Sequence, residues 1–183
     1  MRRDIKVLKE YARLRKLPDT IHLGDISDKL KDDLLKLFES TPISNDRAAQ
    51  NRKGIYGVEH DDTTPLGKTY NQRHITDFII GVDCLNDFTK KYEWRFADLQ
   101  PDSSIPKHLD DPSSYRFIIM LKGEHEFTSD DKTIPMKEHE VWFVNSAYHH
   151  SVFNNTKNNR IALLGKFEIN ENNTRLLRAR TGE

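Results

Sequence analysis

Four side chains in the second half of this 183-residue sequence could do chemistry together. They are His108 and Asp110, spaced as H-x-D, His150 far downstream, and Arg160 ten residues after that. Two imidazoles and one carboxylate on one face of a ferrous ion leave its other positions open for a cosubstrate and O2, the ligand set of non-haem Fe(II) oxygenases. An Arg at fixed distance adds a planar fork of donors suited to a carboxylate of a dicarboxylic cosubstrate. Together the four positions point to metal-dependent oxidation.

H-x-D also occurs at His60 and Asp62, so the pair alone is a weak signal. His60 stands in Gly54-Ile-Tyr-Gly-Val-Glu-His-Asp-Asp-Thr-Thr-Pro65, whose Gly, Asp, Thr and Pro content reads as a loop. His108 and Asp110 instead follow a stretch that alternates apolar residues and precede a strong strand, Tyr115 to Leu121. In a strand, residues i and i+2 share a face, so both could reach one ion. Of the neighbours His149 and His150, only one can do so; His150 is chosen because it shares parity with Val152 and begins the ten-residue step to Arg160. Arg160 shares parity with Ala162 and Leu164, and a guanidinium among apolar neighbours is costly unless an anion joins it. Arg116, on one face with Ile118 and Met120, poses the same problem and is a second candidate for anion recognition.

Composition narrows the possibilities. Basic and acidic residues balance at 29 each, so net charge favours neither nucleic acid nor an anionic membrane. A single cysteine, Cys84, excludes a disulfide framework or a Cys-based zinc site within the monomer and suits a reducing compartment. Cys84 reads as a buried inert thiol. With no membrane-length apolar run and no apolar signal-peptide core, a cytoplasmic location is expected. There is no Gly-rich phosphate loop, G-x-S-x-G or HExxH.

The elements that must position these residues fall into two halves. Residues 1–90 read as a helical and loop extension packed on the core. Its first helix carries Ile5, Leu8, Tyr11, Ala12 and Leu14, and Pro18 with Gly24 marks a break. A second runs from an N-cap at Ser27 through Leu30, Leu34, Leu37 and Phe38 to Ser40-Thr-Pro42. Residues 43–75 are polar and rich in turn formers, a surface loop or part of a substrate entrance, with Tyr70, Asn71 and Arg73 as candidates there. Ile75, Phe78, Ile79, Val82 and Leu85 fit a further helix. Residues 91–183 form the catalytic core, one structural domain with the extension. Its short β-rich runs are Tyr92–Leu99, Tyr115–Lys122, His125–Thr128, Lys132–Ile134, Val141–Val144, Ser151–Phe153 and Arg160–Ile169, with turn residues between them. Such spacing predicts a mainly β fold, an antiparallel sandwich or barrel, with flanking helices.

The stretches Ile105-Pro-Lys-His-Leu-Asp-Asp-Pro-Ser-Ser-Tyr-Arg-Phe117, Glu140-Val-Trp-Phe-Val-Asn-Ser-Ala-Tyr-His-His-Ser-Val-Phe-Asn154 and Arg160-Ile-Ala-Leu-Leu164 resemble the aspartyl/asparaginyl β-hydroxylase family. This family of Fe(II)/2-oxoglutarate oxygenases also contains bacterial proline hydroxylases. The resemblance covers roughly residues 92–168. It implies a double-stranded β-helix, the jelly-roll or cupin-like fold, with His108, Asp110 and His150 on Fe(II) as metal ligands and catalytic residues. By the same resemblance Arg160 binds the distal carboxylate of the cosubstrate 2-oxoglutarate, and Arg116 lies near the cosubstrate or the substrate carboxylate. The implied reaction consumes O2, releases succinate and CO2, and hydroxylates an unactivated C–H bond of a small amino acid or an Asp/Asn-type residue in a peptide. Neither nucleic acid nor membrane is an expected partner, and nothing in the sequence specifies an oligomeric state. Two other readings stay open: a cupin-like metalloenzyme that does not use 2-oxoglutarate, and a non-catalytic jelly-roll binding module.

Overall fold

Alternation of side chains along the C-terminal strands divides the apolar residues of this chain between two cores. The computed structural model describes residues 2–43, 70–75, 81–110 and 112–182. In chain order the elements are α1 (Arg2–Leu14), β1 (Thr20–Asp25), α2 (Asp28–Ser40), β2 (Tyr70–Ile75), a 3-10 turn (Asp83–Leu85), β3 (Lys90–Leu99), β4 (Ser103–His108), β5 (Tyr115–Lys122), β6 (His125–Ser129), β7 (Lys132–Met136), β8 (Glu140–Val144), β9 (His150–Asn154), β10 (Arg160–Phe167) and α3 (Glu171–Ala179). One sheet has the order β1-β8-β5-β10-β3-β2 and the other β4-β9-β6-β7, with every pairing antiparallel. The fold is therefore mainly β, two antiparallel sheets with flanking helices, as expected of a jelly roll.

On the six-stranded sheet, Phe96, Phe117, Ile119, Leu121, Val141, Phe143, Ile161, Leu163 and Phe167 face outward. They pack under Leu14 of α1, Leu34 of α2, Leu85 and Leu177 of α3. The alternate residues, among them Ala97, Leu99, Ile118, Met120, Val144 and Ala162, face inward against Phe127, Met136 and Val152 of the four-stranded sheet. Two glycines are required by geometry. At Gly165 a Cβ would lie 2.8 Å from the Trp94 ring, so only hydrogen fits beneath the indole. Gly123, at φ +70° in the β5–β6 turn, would bring a Cβ to 3.3 Å from the Asn159 carbonyl oxygen.

The N-terminal half contains more strand than its pattern predicts. The Ser27 cap is present, its hydroxyl accepting from the Leu30 amide, and α2 stops at Ser40. Between the two helices, however, Ile21 and Leu23 alternate along β1, which pairs with β8. The polar segment Tyr70–Ile75, read as loop, is the edge strand beside β3. The helix expected from Ile75 is corrected at both described ends: Ile75 ends a strand, Val82 is extended, and Asp83–Leu85 is a 3-10 turn, while Phe78 and Ile79 lie outside the described residues. The three-residue spacing of Val82, Leu85 and Phe88, all buried, suits that turn as well as it suits an α-helix. Cys84, in the turn, is half-buried, and burial raises its thiol pKa above the ordinary value. The unexpected α3 is capped by Asn170, whose side chain accepts from the Asn173 amide. His60, Asp62 and most of the 43–75 segment lie outside the described residues.

Candidate metal centre

His108 and His150 meet because β4 bulges. In the β4–β9 ladder Ile105 pairs with Val152 and His108 with His150, so three residues of β4 span two of β9. Ile105 belongs to the inner core. Without the extra residue His108 would face away from it; the bulge at Pro106 and Lys107 turns the imidazole inward, a common device beside functional sites. Pro106 is tolerated there because a bulged position need not donate to the ladder. The imidazole centroids come to 4.4 Å. Each ring is oriented by its own backbone: His108 Nδ1 lies 2.7 Å from the Pro106 carbonyl oxygen and His150 Nδ1 3.0 Å from that of Tyr148. Those contacts suit Nδ1–H donors and leave both Nε2 atoms as ligands, the usual outer support of a metal-binding histidine. Phe127 stacks on the His150 ring at 5.3 Å.

Asp110 completes the group, although it lies beyond the end of β4 and not on the strand that the i, i+2 reading assumed. Its Oδ1 is 3.7 Å from His108 Nε2 and its Oδ2 is 3.5 Å from His150 Nε2. The possible ligand atoms of the three residues all lie within 4.8 Å of one another. Arg116 Nε stands 2.9 Å from Asp110 Oδ2, so this guanidinium neutralises the carboxylate. Burial works to raise the Asp110 pKa. Arg116 and the two imidazoles outweigh it and hold the carboxyl well below the usual range. An ionised carboxylate and two imidazole nitrogens, with their remaining donors already engaged, are a fitting donor set for Fe(II). His149 is not part of the group; its carbonyl accepts from the Asp130 amide at the β6–β7 turn.

Arg160 lies at another point of the same interior. It is 2% exposed, its Nη1 donates to the Ala97 carbonyl at 3.3 Å, and its Nε has no hydrogen-bond partner. Burial pushes its pKa down to about 10, opposed by Tyr70 and Asp98, so it stays charged at neutral pH.

Two interior residues escape the sequence reading. His125 is 1% exposed, on the strand face of Phe127, and neither ring nitrogen has a partner. Burial and then the charge of Arg160 hold its pKa well below the usual imidazole value, which keeps it neutral. Arg95 shares a strand face with the inward Ala97 and Leu99, and its Nε is buried without a hydrogen bond. The available signal was parity: each stands two residues from an inward apolar neighbour. Of the proposed entrance residues, Tyr70 is buried and accepts from Gln72. Asn71 donates to Asp98, while Arg73 donates to the Thr41 carbonyl and stacks on Phe38. The latter two are thus engaged in the fold. Among the described residues no helix is long and apolar enough to cross a membrane.

Residues 69–169, just over half of the chain, match the family model described as Aspartyl/Asparaginyl beta-hydroxylase. No curated protein matches the chain. Solved structures similar to it include a predicted oxalate decarboxylase from Thermotoga maritima, at 21% identity over 55% of this chain and 81% of that one with a TM-score of 0.42. A Cupin 2 conserved barrel domain protein from Salinispora arenicola is similar at 15% identity over 62% and 83%, TM-score 0.42. So is a cupin superfamily protein from Desulfitobacterium hafniense, at 13% identity over 55% and 79%, TM-score 0.41.

Proposed function

Because the chain belongs to the aspartyl/asparaginyl β-hydroxylase family, we propose that it is an Fe(II)/2-oxoglutarate-dependent dioxygenase acting on an amino acid or an Asp/Asn-type residue. The observation that carries this reading is the convergence of His108, Asp110 and His150 in a sheet interior that also holds a buried guanidinium with unused donor capacity. In that assignment the two Nε2 atoms and the Asp110 carboxylate hold the metal. Arg160 takes the distal carboxylate of 2-oxoglutarate, the anion that would repay its desolvation. Neutral His125 can donate to the same carboxylate. Arg116 holds Asp110 ionised and oriented, so its contribution to anion binding passes through the carboxylate it already touches.

Bound iron and 2-oxoglutarate supply the oxidising power, with succinate and CO2 as co-products and one oxygen atom inserted into a C–H bond of the substrate. The protein's share is placement and exclusion of water by the apolar wall of Ile118, Met120, Val144 and Val152. Arg95 on the inner face suits a carboxylate-bearing substrate.

The test is a screen of free amino acids and short peptides for substrate-dependent succinate release by the Fe(II)-loaded protein. Release that requires 2-oxoglutarate and disappears in His150→Ala supports the assignment. Metal binding without any dependence on 2-oxoglutarate would overturn it, and stoichiometric turnover of a free amino acid would remove the peptidyl option.

A further inference from the structure

Of the three candidate ligands, Asp110 has the weakest backbone support. His108 and His150 face each other in the β4–β9 ladder, whereas Asp110 follows the last residue of β4 and has no strand partner. Its carbonyl oxygen instead accepts a 2.8 Å hydrogen bond from the hydroxyl of Tyr11, ninety-nine residues earlier on α1. Tyr11 is 9% exposed, and its ring packs in the outer core with Leu14 and Leu17. The hydroxyl is thus delivered by a ring whose position is set by apolar packing.

The same end of α1 grips the segment that leads into His150. Buried Asn145 lies with its Nδ2 2.8 Å from the carbonyl oxygen of Leu14, 3.1 Å from that of Pro18 and 3.3 Å from that of Leu17, donating to the last residue of the helix and the turn that follows it. Its Oδ1 accepts from the Ala147 amide. Arg15 Nε donates to the Ala147 carbonyl at 3.2 Å, and the Tyr148 hydroxyl donates to the Arg15 carbonyl at 3.3 Å. The Tyr148 carbonyl is the oxygen that orients the His150 ring. One helix end therefore holds both segments that carry the group, and it lies outside residues 69–169.

We propose that α1 is a clasp of the metal centre, in which Tyr11 is a positioning residue that fixes Asp110 through its backbone carbonyl. This inference rests on the metal-binding reading above. Tyr11→Phe deletes the hydroxyl and keeps the ring in the core, so the bond to Asp110 can be removed with little change in packing. Leu177→Ala is the contrasting variant: it hollows the same outer core from α3 and leaves α1 and the Tyr11 hydroxyl in place.

The experiment titrates Co(II) into the purified full chain, following the visible absorption of the bound ion, with melting of the metal-free protein measured in parallel. Wild type should bind Co(II) and His150→Ala should not. Tyr11→Phe should bind about tenfold more weakly, the low end of what loss of an outer support costs, with an altered Co(II) spectrum and nearly unchanged melting. Leu177→Ala should melt well below wild type yet, at a temperature where it is folded, keep wild-type affinity and spectrum. Wild-type affinity and spectrum in Tyr11→Phe would overturn the clasp while leaving the metal assignment intact. Equal loss of affinity in both variants would also overturn it, by reducing α1 to general support. Failure of the wild-type protein to bind Co(II) would instead defeat the metal reading itself.

Discussion

The two faces of the six-stranded sheet are made by alternate residues of the same strands and have opposite chemistry. Outward, Phe117 packs edge-on against Phe167 with centroids 3.8 Å apart and against Phe88 at 5.3 Å, while Trp94 meets Phe167 at 5.9 Å and Phe38 meets Phe96 at 5.5 Å. Inward, Arg95, Arg116 and Arg160 alternate with Ala97, Ile118 and Ala162, and His125 faces them with both ring nitrogens unbonded. The first face stores stability, because each ring gains apolar burial and contact. The second gives stability up, because the Nε of Arg95, the Nε of Arg160 and both ring nitrogens of His125 are desolvated without a hydrogen-bond partner. What it gains is a set of oriented polar groups at low dielectric, the condition under which they act most strongly on a bound anion or metal.

Breaking the outward face should have the largest effect on stability. Phe117→Ala should cost about 3–5 kcal/mol and lower the melting temperature by about 10 °C; a small loss would deny that face its role. Next comes Gly165→Ala, whose added methyl meets the Trp94 ring at 2.8 Å. The expected loss is about 1–3 kcal/mol, read from a shift in the urea midpoint.

The inward face should respond to pH more than to truncation. His125 is neutral in the folded protein because its pKa lies well below the ordinary value, while the unfolded chain takes up a proton near pH 6.5. Its contribution is therefore full above pH 6.5 and is lost as pH falls below it, with a limiting slope of about 1.4 kcal/mol per pH unit. The wild-type stability curve should carry that slope and His125→Phe should lack it; parallel curves would place His125 in a solvated or bonded setting. The smallest effect is expected of Arg160→Met. Its denaturation midpoint should stay level or rise, since a buried charge without a full partner contributes little to stability, although binding of 2-oxoglutarate should weaken greatly. A large fall in the midpoint would mean that Arg160 is structural.

Legibility in the sequence followed the same division. β5 was plain because Tyr115–Lys122 is long and rich in β-branched and aromatic residues, and α2 because Ser27 caps a regular apolar stripe. β2 was not, since an edge strand can be as polar as Asn71-Gln-Arg-His74. The residues of the candidate centre could be named from type and spacing, yet the reason they meet could not. The parity of β4 is reset by a bulge that pairs His108 with His150, and a bulge has no periodicity to read. His125 and Arg95 looked like ordinary polar positions of a strand until the sheet on their other side was known. The Tyr11 bond to Asp110 joins residues with no local pattern in common, so only tertiary structure exposes it.

The most direct test of the proposed centre is an anaerobic titration of the protein with Fe(II) and then 2-oxoglutarate, watched for a visible charge-transfer band. The band should need both additions, be absent in His150→Ala, and be shifted to far higher 2-oxoglutarate concentration in Arg160→Met. Fe(II) binding with no band at saturating 2-oxoglutarate, or a band that survives His150→Ala, would contradict it.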